Sequence, residues 1–308
     1  MSRLSSSCRK LALRAYYHGT APFRSRMRDR LAAEGRVPVC VLFYHRVADT
    51  HPNSWSMTNA QFKQQIHWLQ KHAEIVPLSE VQRRIESGHN DRIAVAITFD
   101  DGYADNCDQA IPYLIENKIP ATYFVTHDSV VNQRSFPQDI AEGIPLRPNT
   151  LDQIREMAGS GIEIGAHTRT HCNVAAITDP AVLVDEIVTA SRELSDLIGQ
   201  PIKYFAFPYG TPNTMSAEAV RLAKQAGMQG VCSAFGAYNW PGQDPYHIRR
   251  IHGDPQFIRL KNWLTLDRRK FSVGVDFQFT PTDLSLPPVI APITTAPGTI
   301  TPAAGSLS

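Results

Sequence analysis

The sequence predicts an α/β fold, a distorted (β/α) barrel of about seven parallel strands with helices on the outside. Short apolar runs typical of strands buried on both faces alternate along the chain with amphipathic helical segments. Polar residues follow several of these runs at the point where each run ends, which is where α/β sheets and barrels place their sites. The 308 residues suffice for one such domain with appendages.

The composition limits the functional classes and the cellular compartment to which the protein can be assigned. The chain is 43% hydrophobic and 19% charged, and its formal net charge of +2 argues against a nucleic-acid binder. Its five cysteines contain no C-x-x-C pair, which favours reduced thiols and a cytoplasmic location. We identify neither a secretory signal nor a run long enough to span a membrane.

Residues 1–36 form a basic amphipathic N-terminal arm. They contain eight Arg and one Lys against only Asp29 and Glu34, with apolar residues interspersed. One interpretation is a helix lying peripherally on an anionic membrane surface or on a partner. The other is a partly ordered, solvated extension.

The segment up to the central strand contains three predicted strands and two predicted helices. The strands are apolar runs, and the helices have apolar residues at helical spacing. Thr58 or Asn59 caps the first helix, and Gly88 ends the second. In order, we expect a strand at 37–44, a helix at 58–72, a strand at 75–76, a helix at 78–86 and a strand at 93–98.

The middle segment continues the alternation of helix and strand. Pro112 suits the first turn of a helix that must stop before Pro120, and Thr150 with Gln153 forms a capping box. Residues 127–149 hold three prolines and no clear period, which predicts an irregular excursion over the strand ends that shapes a cleft. In order, we expect a helix at 112–117, a strand at 121–125, a helix at 150–159 and a strand at 162–166.

The last part of the barrel begins with the clearest amphipathic helix in the chain. Pro180 opens this helix and Gly199 ends it, and Ser216 caps the next one. Six prolines after residue 280 mix with Thr, Ala and Ser, which predicts a disordered tail at 281–308 and limits the barrel to 37–280. In order, we expect a helix at 180–198, strands at 204–207 and 230–233 around a helix at 216–226, and a last strand at 246–251.

Two adjacent acids, Asp100 and Asp101, end the strand at 93–98, and Gly102 permits a tight turn after them. Neighbouring residues on an extended chain point to opposite sides, so one carboxylate can bind a cation while the other handles a proton. The alternative is a pair of capping Asp residues in a surface turn.

Two imidazoles, His167 and His171, lie four residues apart at the end of another strand, a spacing that puts both rings on one side. Two His and one carboxylate form a three-ligand Zn²⁺ site with a fourth position for water, and Asp101 is the obvious donor. The alternative is a pair of polar loop residues. The combination with the two acids favours the metal site.

Three segments resemble one known family. Residues 98–102 (TFDDG), 167–171 (HTRTH) and 207–210 (FPYG) are similar to motifs of the NodB-homology polysaccharide deacetylases of carbohydrate esterase family four, and the similarity extends over about residues 37–269. The resemblance implies metal-dependent removal of N-acetyl groups from an N-acetylglucosamine-containing polymer, during exopolysaccharide or cell-envelope synthesis.

The resemblance also implies roles for individual residues. Asp101, His167 and His171 would hold a divalent metal, Zn²⁺ by preference, and Asp100 would be the general base. The backbone N–H of Tyr209 would stabilise the oxyanion. A late histidine supplies the proton to the departing amine in relatives, and His252 is the candidate. The predicted substrate-binding residues are His45, Pro208, Tyr209 and Arg250.

The sequence departs from the family pattern in two places. Ala206 stands where many relatives have an arginine that orients the base, so that contact must come from elsewhere, and Arg249 and Arg250 are the candidates on a neighbouring strand. The tryptophan-bearing motif has no clear match, and Trp240 is not assigned to it. The missing arginine and the uncertain acid leave open a catalytically silent glycan-binding module. A metal amidohydrolase acting on a small non-sugar amide also stays open, since the same ligands serve any planar amide.

Overall fold

A computed structural model of the chain describes residues 6–274 and 277–279, so the tail predicted at 281–308 lies outside the described residues. Apolar runs form most of the strands, and nearly all of their residues are buried. The strands are β1 (Val39–Tyr44), β2 (Arg46–Val47), β3 (Ser56–Met57), β4 (Glu74–Ile75), β5 (Ala94–Phe99), β6 (Thr122–Val125), β7 (Glu163–Ala166), β8 (Tyr204–Ala206), β9 (Gly230–Cys232), β10 (His247–Ile248) and β11 (Ile251–His252).

The helices alternate with the strands as predicted. Capping boxes begin two of them, at Thr58 and Thr150, and Gly199 ends a third in the left-handed conformation. The α-helices are α1 (Ser6–Ala33), α2 (Asn59–His72), α3 (Leu78–Glu86), α4 (Ala110–Glu116), α5 (His127–Val131), α6 (Pro137–Ala141), α7 (Leu151–Gly159), α8 (Pro180–Val184), α9 (Ala190–Ile198), α10 (Ala217–Gln225) and α11 (Phe257–Leu264).

Within the described residues, eight parallel strands follow one another in the order β10-β9-β8-β7-β6-β5-β1-β11, and β4 pairs beside β5. The predicted parallel (β/α) architecture is therefore confirmed. Because all strands run the same way, their carboxyl ends meet at one edge, and the residues that follow them are brought together.

The last predicted strand, at 246–251, is wrong as a single strand. Residues 247–248 pair with β9 at one end of the sheet, and residues 251–252 pair with β1 at the other end. Arg249 and Arg250 form the interruption between these two short strands. One segment therefore pairs with both ends of the sheet.

Successive residues of the central strands β1 and β5 belong in turn to two different hydrophobic clusters. Val39 and Val41 of β1 and Ala94 and Ala96 of β5 join one cluster with α3, while the intervening residues pack in the cluster that contains the other helices. The face of β5 that carries Ala94 and Ala96 is therefore the barrel interior. Thr98 and Asp100 continue that face towards the carboxyl edge.

Residues 127–149 are more ordered than the sequence predicts. The short helices α5 and α6 lie in this segment, and Asp139 of α6 is buried and accepts a hydrogen bond from Tyr103 Oη at 2.9 Å. No sequence period marks helices of one turn, because five residues are too few to show one.

The N-terminal arm is an ordered helix that is docked on the barrel. Arg24 is buried, and its Nη1 donates to Asn262 O and to Thr265 Oγ1, both at 2.8 Å. Tyr16 Oη donates to Asp267 Oδ1 at 3.0 Å. The helix is thus not a solvated extension. Within the described residues no helix is both long and apolar enough to cross a membrane, and contact with a membrane surface stays a prediction.

Candidate active site

The predicted site residues follow the carboxyl ends of neighbouring strands. Asp100 and Asp101 follow β5, His167 and His171 follow β7, and Tyr209 follows β8. At the other side of the site, His45 follows β1 and His252 ends β11. The sheet order places β5 between β1 and β6, so the two Asp residues lie near the middle of this edge.

The structure brings the three predicted metal ligands together. Asp101 Oδ1 lies 3.1 Å from His171 Nε2 and 3.3 Å from His167 Nε2. One potential ligand atom from each residue falls within 4.8 Å of the others. Asp101 Oδ1 is buried and makes no hydrogen bond within the described residues. An unpartnered carboxylate oxygen that faces two imidazole nitrogens is a donor set suited to a divalent cation.

The backbone fixes these ligands in unusual conformations. Asp101 has φ +74° and Gly102 has φ +104°, and the Gly102 N–H donates to Asp100 O at 3.0 Å. A Cβ on Gly102 would find ordinary space, so the backbone angle is what calls for glycine. His167 Nδ1 lies 2.8 Å from Ala206 O, which can only accept, so Nδ1 carries the proton and Nε2 keeps its lone pair for a cation.

The charges of these groups depend on one another. Burial raises the pKa of Asp101, but the nearby His171, together with His167 and His45, outweighs it and holds that pKa well below its usual value. Burial lowers the pKa of His171, but the Asp101 carboxylate reverses this and raises the pKa overall. The site therefore stabilises a carboxylate facing positive charge, which a bound cation would also supply.

Asp100 turns towards the barrel interior and pairs with Arg250. Arg250 Nη1 donates to Asp100 Oδ1 at 2.6 Å and Nη2 donates to Oδ2 at 2.8 Å. Arg250 Nη1 also donates to Thr98 Oγ1 at 3.1 Å, and Nε donates to Ser233 O at 3.0 Å. Burial raises the pKa of Asp100, but the guanidinium, together with His167 and His45, outweighs it, so the pKa lies below its usual value and the carboxylate stays ionised. The two adjacent acids thus have different partners, as their alternation predicts.

Arg250 makes the contact with Asp100 that Ala206 cannot make. Of the two arginines that the sequence offers, Arg250 reaches Asp100, whereas Arg249 Nε donates to Gly274 O at 3.3 Å. Arg250 is fully buried and its guanidinium also lies over the Phe43 ring at 4.9 Å. It reaches the site only through Asp100, so this position does not fit the substrate contact predicted for Arg250.

An aromatic wall lies on the β1 and β11 side of the site. The His45 ring is 4.8 Å from the Trp55 ring and 6.1 Å from the His252 ring. Trp55 precedes β3, and the pairing of β2 with β3 folds its loop back over His45. Trp55 is 50% exposed, and no local signal in the sequence singles it out. The placement of His45 fits its predicted role in lining the site.

His252 lies near the site, but its lowered pKa limits how it can act as the predicted proton donor. Burial and the neighbouring His45 lower the pKa of His252 to about 4. Its imidazole is therefore neutral near pH 7, and it can donate a proton only after it has taken one up. The assignment of the proton donor to His252 stays a prediction.

Tyr209 and Pro208 lie on the opposite side. The Tyr209 ring is 59% exposed and lies 5.4 Å from the His171 ring. Its backbone has φ +59°, and a Cβ on the following Gly210 would meet Ala234 N at 2.6 Å. This close approach requires glycine at 210 and fixes the turn that carries the Tyr209 N–H. Trp240 packs against Phe271 at 5.0 Å instead of lining this site.

Comparisons with known proteins agree with this geometry. Residues 87–231 match the family model described as polysaccharide deacetylase. The chain is 29% identical over 175 residues to the chitooligosaccharide deacetylase of Bradyrhizobium sp. (strain ANU 289). The aligned residues cover 56% of this chain and 70% of the relative. It is 26% identical over 221 residues to the poly-beta-1,6-N-acetyl-D-glucosamine N-deacetylase of Staphylococcus aureus (strain MRSA252), which covers 68% of this chain and 72% of the relative.

A solved structure shows the same fold. The structure of IcaB from Ammonifex degensii aligns with a TM-score of 0.62 and 24% sequence identity, and it covers 74% of this chain and 97% of that chain. The family match includes the Asp-Asp-Gly turn and the HTRTH segment, on which the resemblance was based. The resemblance is thereby confirmed: residues 87–231 match the polysaccharide deacetylase family, and the chain is similar to deacetylases that are hydrolases of carbon–nitrogen bonds.

Proposed function

We propose that this protein removes N-acetyl groups from a polysaccharide that contains N-acetylglucosamine, or from the precursor of such a polymer. The observation that carries the proposal is the convergence of Asp101, His167 and His171 beside an ionised Asp100. The names of the two relatives, a chitooligosaccharide deacetylase and a poly-N-acetylglucosamine deacetylase, support a substrate of this class.

Asp101, His167 and His171 would hold the divalent cation, and their two imidazoles and one carboxylate favour Zn²⁺. When bound, the cation supplies Lewis-acid polarisation of the amide carbonyl and makes water more acidic. The remaining work falls to side chains and backbone groups of this chain.

Asp100 is suited to act as the general base. The Arg250 guanidinium fixes both carboxylate oxygens and keeps Asp100 ionised despite its burial. It can therefore take the proton of the attacking water at neutral pH. The Tyr209 N–H would donate to the oxygen that becomes negative, and losing one such donor typically slows a reaction by about 100-fold or more.

The groups around these residues would orient the glycan and complete the proton transfers. His252 would return a proton to the departing amine after taking one up. His45 and Trp55 would contact the sugar ring on one side, and Pro208 and Tyr209 on the other. A place in exopolysaccharide or cell-envelope synthesis and a cytoplasmic location, peripheral to the membrane, belong to the same proposal and stay predictions.

Acetate release from defined substrates tests the proposal. The protein is loaded with Zn²⁺ and incubated with β-1,4- and β-1,6-linked N-acetylglucosamine oligomers and with small non-sugar amides. We expect acetate from the oligomers, and none from the Asp100→Asn or His167→Ala variants. Turnover only of the small amides would support the alternative amidohydrolase. Glycan binding without acetate release would indicate a silent binding module.

A further inference from the structure

A buried carboxylate holds the loop that carries both His ligands. Glu186 Oε2 accepts hydrogen bonds from the Arg169 N–H at 2.9 Å and from the Thr170 N–H at 3.0 Å. Glu186 Oε1 accepts from Thr170 Oγ1 at 2.7 Å. Arg169 and Thr170 lie between His167 and His171 in the chain, and Glu186 is 6% exposed. One side chain thus satisfies two consecutive backbone donors of this loop.

Asp185, the residue before Glu186, holds the same loop by pairing with the side chain of Arg169. Arg169 donates to both carboxylate oxygens of Asp185, from Nε at 2.8 Å and from Nη2 at 3.0 Å. Arg169 Nη1 also donates to Glu193 Oε2 at 2.9 Å. A two-point arginine–carboxylate pair fixes direction as well as distance. Backbone and side chain of the loop are therefore tied to the same helical segment.

That segment departs from α-helical geometry where it holds the loop. Asp185–Thr189 is a π-helical turn between α8 and α9. Single π-helical turns inside α-helices are rare and occur frequently at functional sites. The sequence predicts one continuous helix at 180–198, and this turn departs from that prediction.

The loop has a conformation that needs external support. Thr168 has φ +63° and His171 has φ +61°, and such angles are unfavourable for residues other than glycine, most of all for β-branched Thr. Each of these conformations persists only where the surrounding structure over-determines it. The hydrogen bonds to Glu186 and Asp185 act on the two residues between these strained positions, and so supply that support.

We propose that Asp185 and Glu186 are positioning residues for the metal centre: they hold residues 168–171 in the strained conformation that aims His167 and His171 at Asp101. They make no contact with the cation themselves. This inference rests on the proposed metal-dependent function, since it concerns the affinity of that site for its cation.

Zinc affinity measured by competition with a chelating dye tests the inference. We expect Glu186→Ala to weaken Zn²⁺ binding by about 10- to 100-fold, the usual effect of removing a group that orients a metal ligand. Glu186→Gln should keep an affinity close to that of the unchanged protein, because its amide oxygen can accept from both N–H groups while its amide nitrogen donates to Thr170 Oγ1. Asp196→Ala, an exposed acid farther along the same helical segment, is the matched control.

Thermal unfolding with chelator present measures the stability of each variant without metal, and so separates a loss of zinc affinity from a general loss of stability. Asp185 is half-exposed, so Asp185→Asn should fold and weaken Zn²⁺ binding even if Glu186→Ala does not fold. If the unchanged protein binds Zn²⁺ and Glu186→Ala and Asp185→Asn bind it equally well, the inference is overturned while the proposed function stands. If the unchanged protein binds no divalent cation, the proposed function fails first, and the inference fails with it.

Discussion

Replacing Arg250 by Met removes the cation that faces Asp100 and leaves an apolar side chain in place of the aliphatic part of the arginine. In the structure the guanidinium makes two short hydrogen bonds to the carboxylate, at 2.6 and 2.8 Å, and both residues are almost completely buried. After the replacement, the carboxylate keeps its burial but loses its partner. Since burial raises the pKa of Asp100, the ionised fraction that can act as a base should fall.

The burial of the pair sets the size of the expected effect. Removing one partner of a buried ion pair costs about 3–5 kcal/mol of folding free energy, against about 0–1 kcal/mol for an exposed pair. The pair Arg28–Asp29 has side chains that are 48% and 65% exposed, so Arg28→Met is a matched control. Loss of a working general base should also reduce kcat/KM for acetate release by about 10²- to 10⁴-fold.

Urea unfolding and steady-state kinetics measure the two effects. We expect Asp100→Asn combined with Arg250→Met to be less destabilised than the sum of the single variants, because the second change removes the unpaired charge. Arg250→Lys should restore little, since one ammonium cannot make the two-point contact. If Arg250→Met kept both its stability and its kcat/KM, Arg250 would not be the residue that replaces the missing motif arginine.

Three further predictions concern groups outside this pair. Burial and Arg249 lower the pKa of His247 from 6.5 to about 3, so the unfolded chain takes up a proton first as the pH falls; stability from this group is complete above pH 6.5 and is lost from there towards pH 3. Urea unfolding should show the protein losing about 2 kcal/mol more than His247→Phe between pH 8 and pH 5. Trp55→Ala should raise KM for glycan oligomers by about 2- to 12-fold at unchanged stability, since an aromatic contact contributes about 0.5–1.5 kcal/mol; an unchanged KM would place the sugar elsewhere. Reversing the charges of the exposed Arg14 and Arg26 to Glu should abolish co-sedimentation with anionic vesicles, whereas Lys71→Glu should not, and no sedimentation of the unchanged protein would refute the membrane contact.

The parts of the fold that the sequence predicts well are those with strong local signals. Thr58 and Thr150 each precede a Gln by three residues, and both capping boxes form at the expected helix starts. The apolar run before Asp100 forms a fully buried strand, within one residue of its predicted bounds. Such elements depend on neighbours in the chain, so the order of residues suffices to place them.

The parts that the sequence misses depend on contacts between distant segments. Trp55 lies over His45 because β2 and β3 pair, and each of these strands is only two residues long. Glu186 looks like one more polar residue of an amphipathic helix, and only the π-helical turn and the approach of the HTRTH loop reveal its three hydrogen bonds. No periodicity or motif marks either residue.

The position of the compensating arginine shows where sequence and structure each contribute. A buried carboxylate at residue 100 requires a cation, and Ala206 cannot supply it, so the sequence requires an arginine from elsewhere and offers Arg249 and Arg250. The alternation of an extended chain decides between them: Ile248 belongs to the interior cluster, and Arg250, two residues later, lies on the same face. That choice depends on knowing that residues 247–252 bridge β9 and β1, which bring Arg250 to a carboxylate 150 residues away. The sequence thus determines that Asp100 needs a cation as its partner, and the closure of the sheet determines which arginine supplies it.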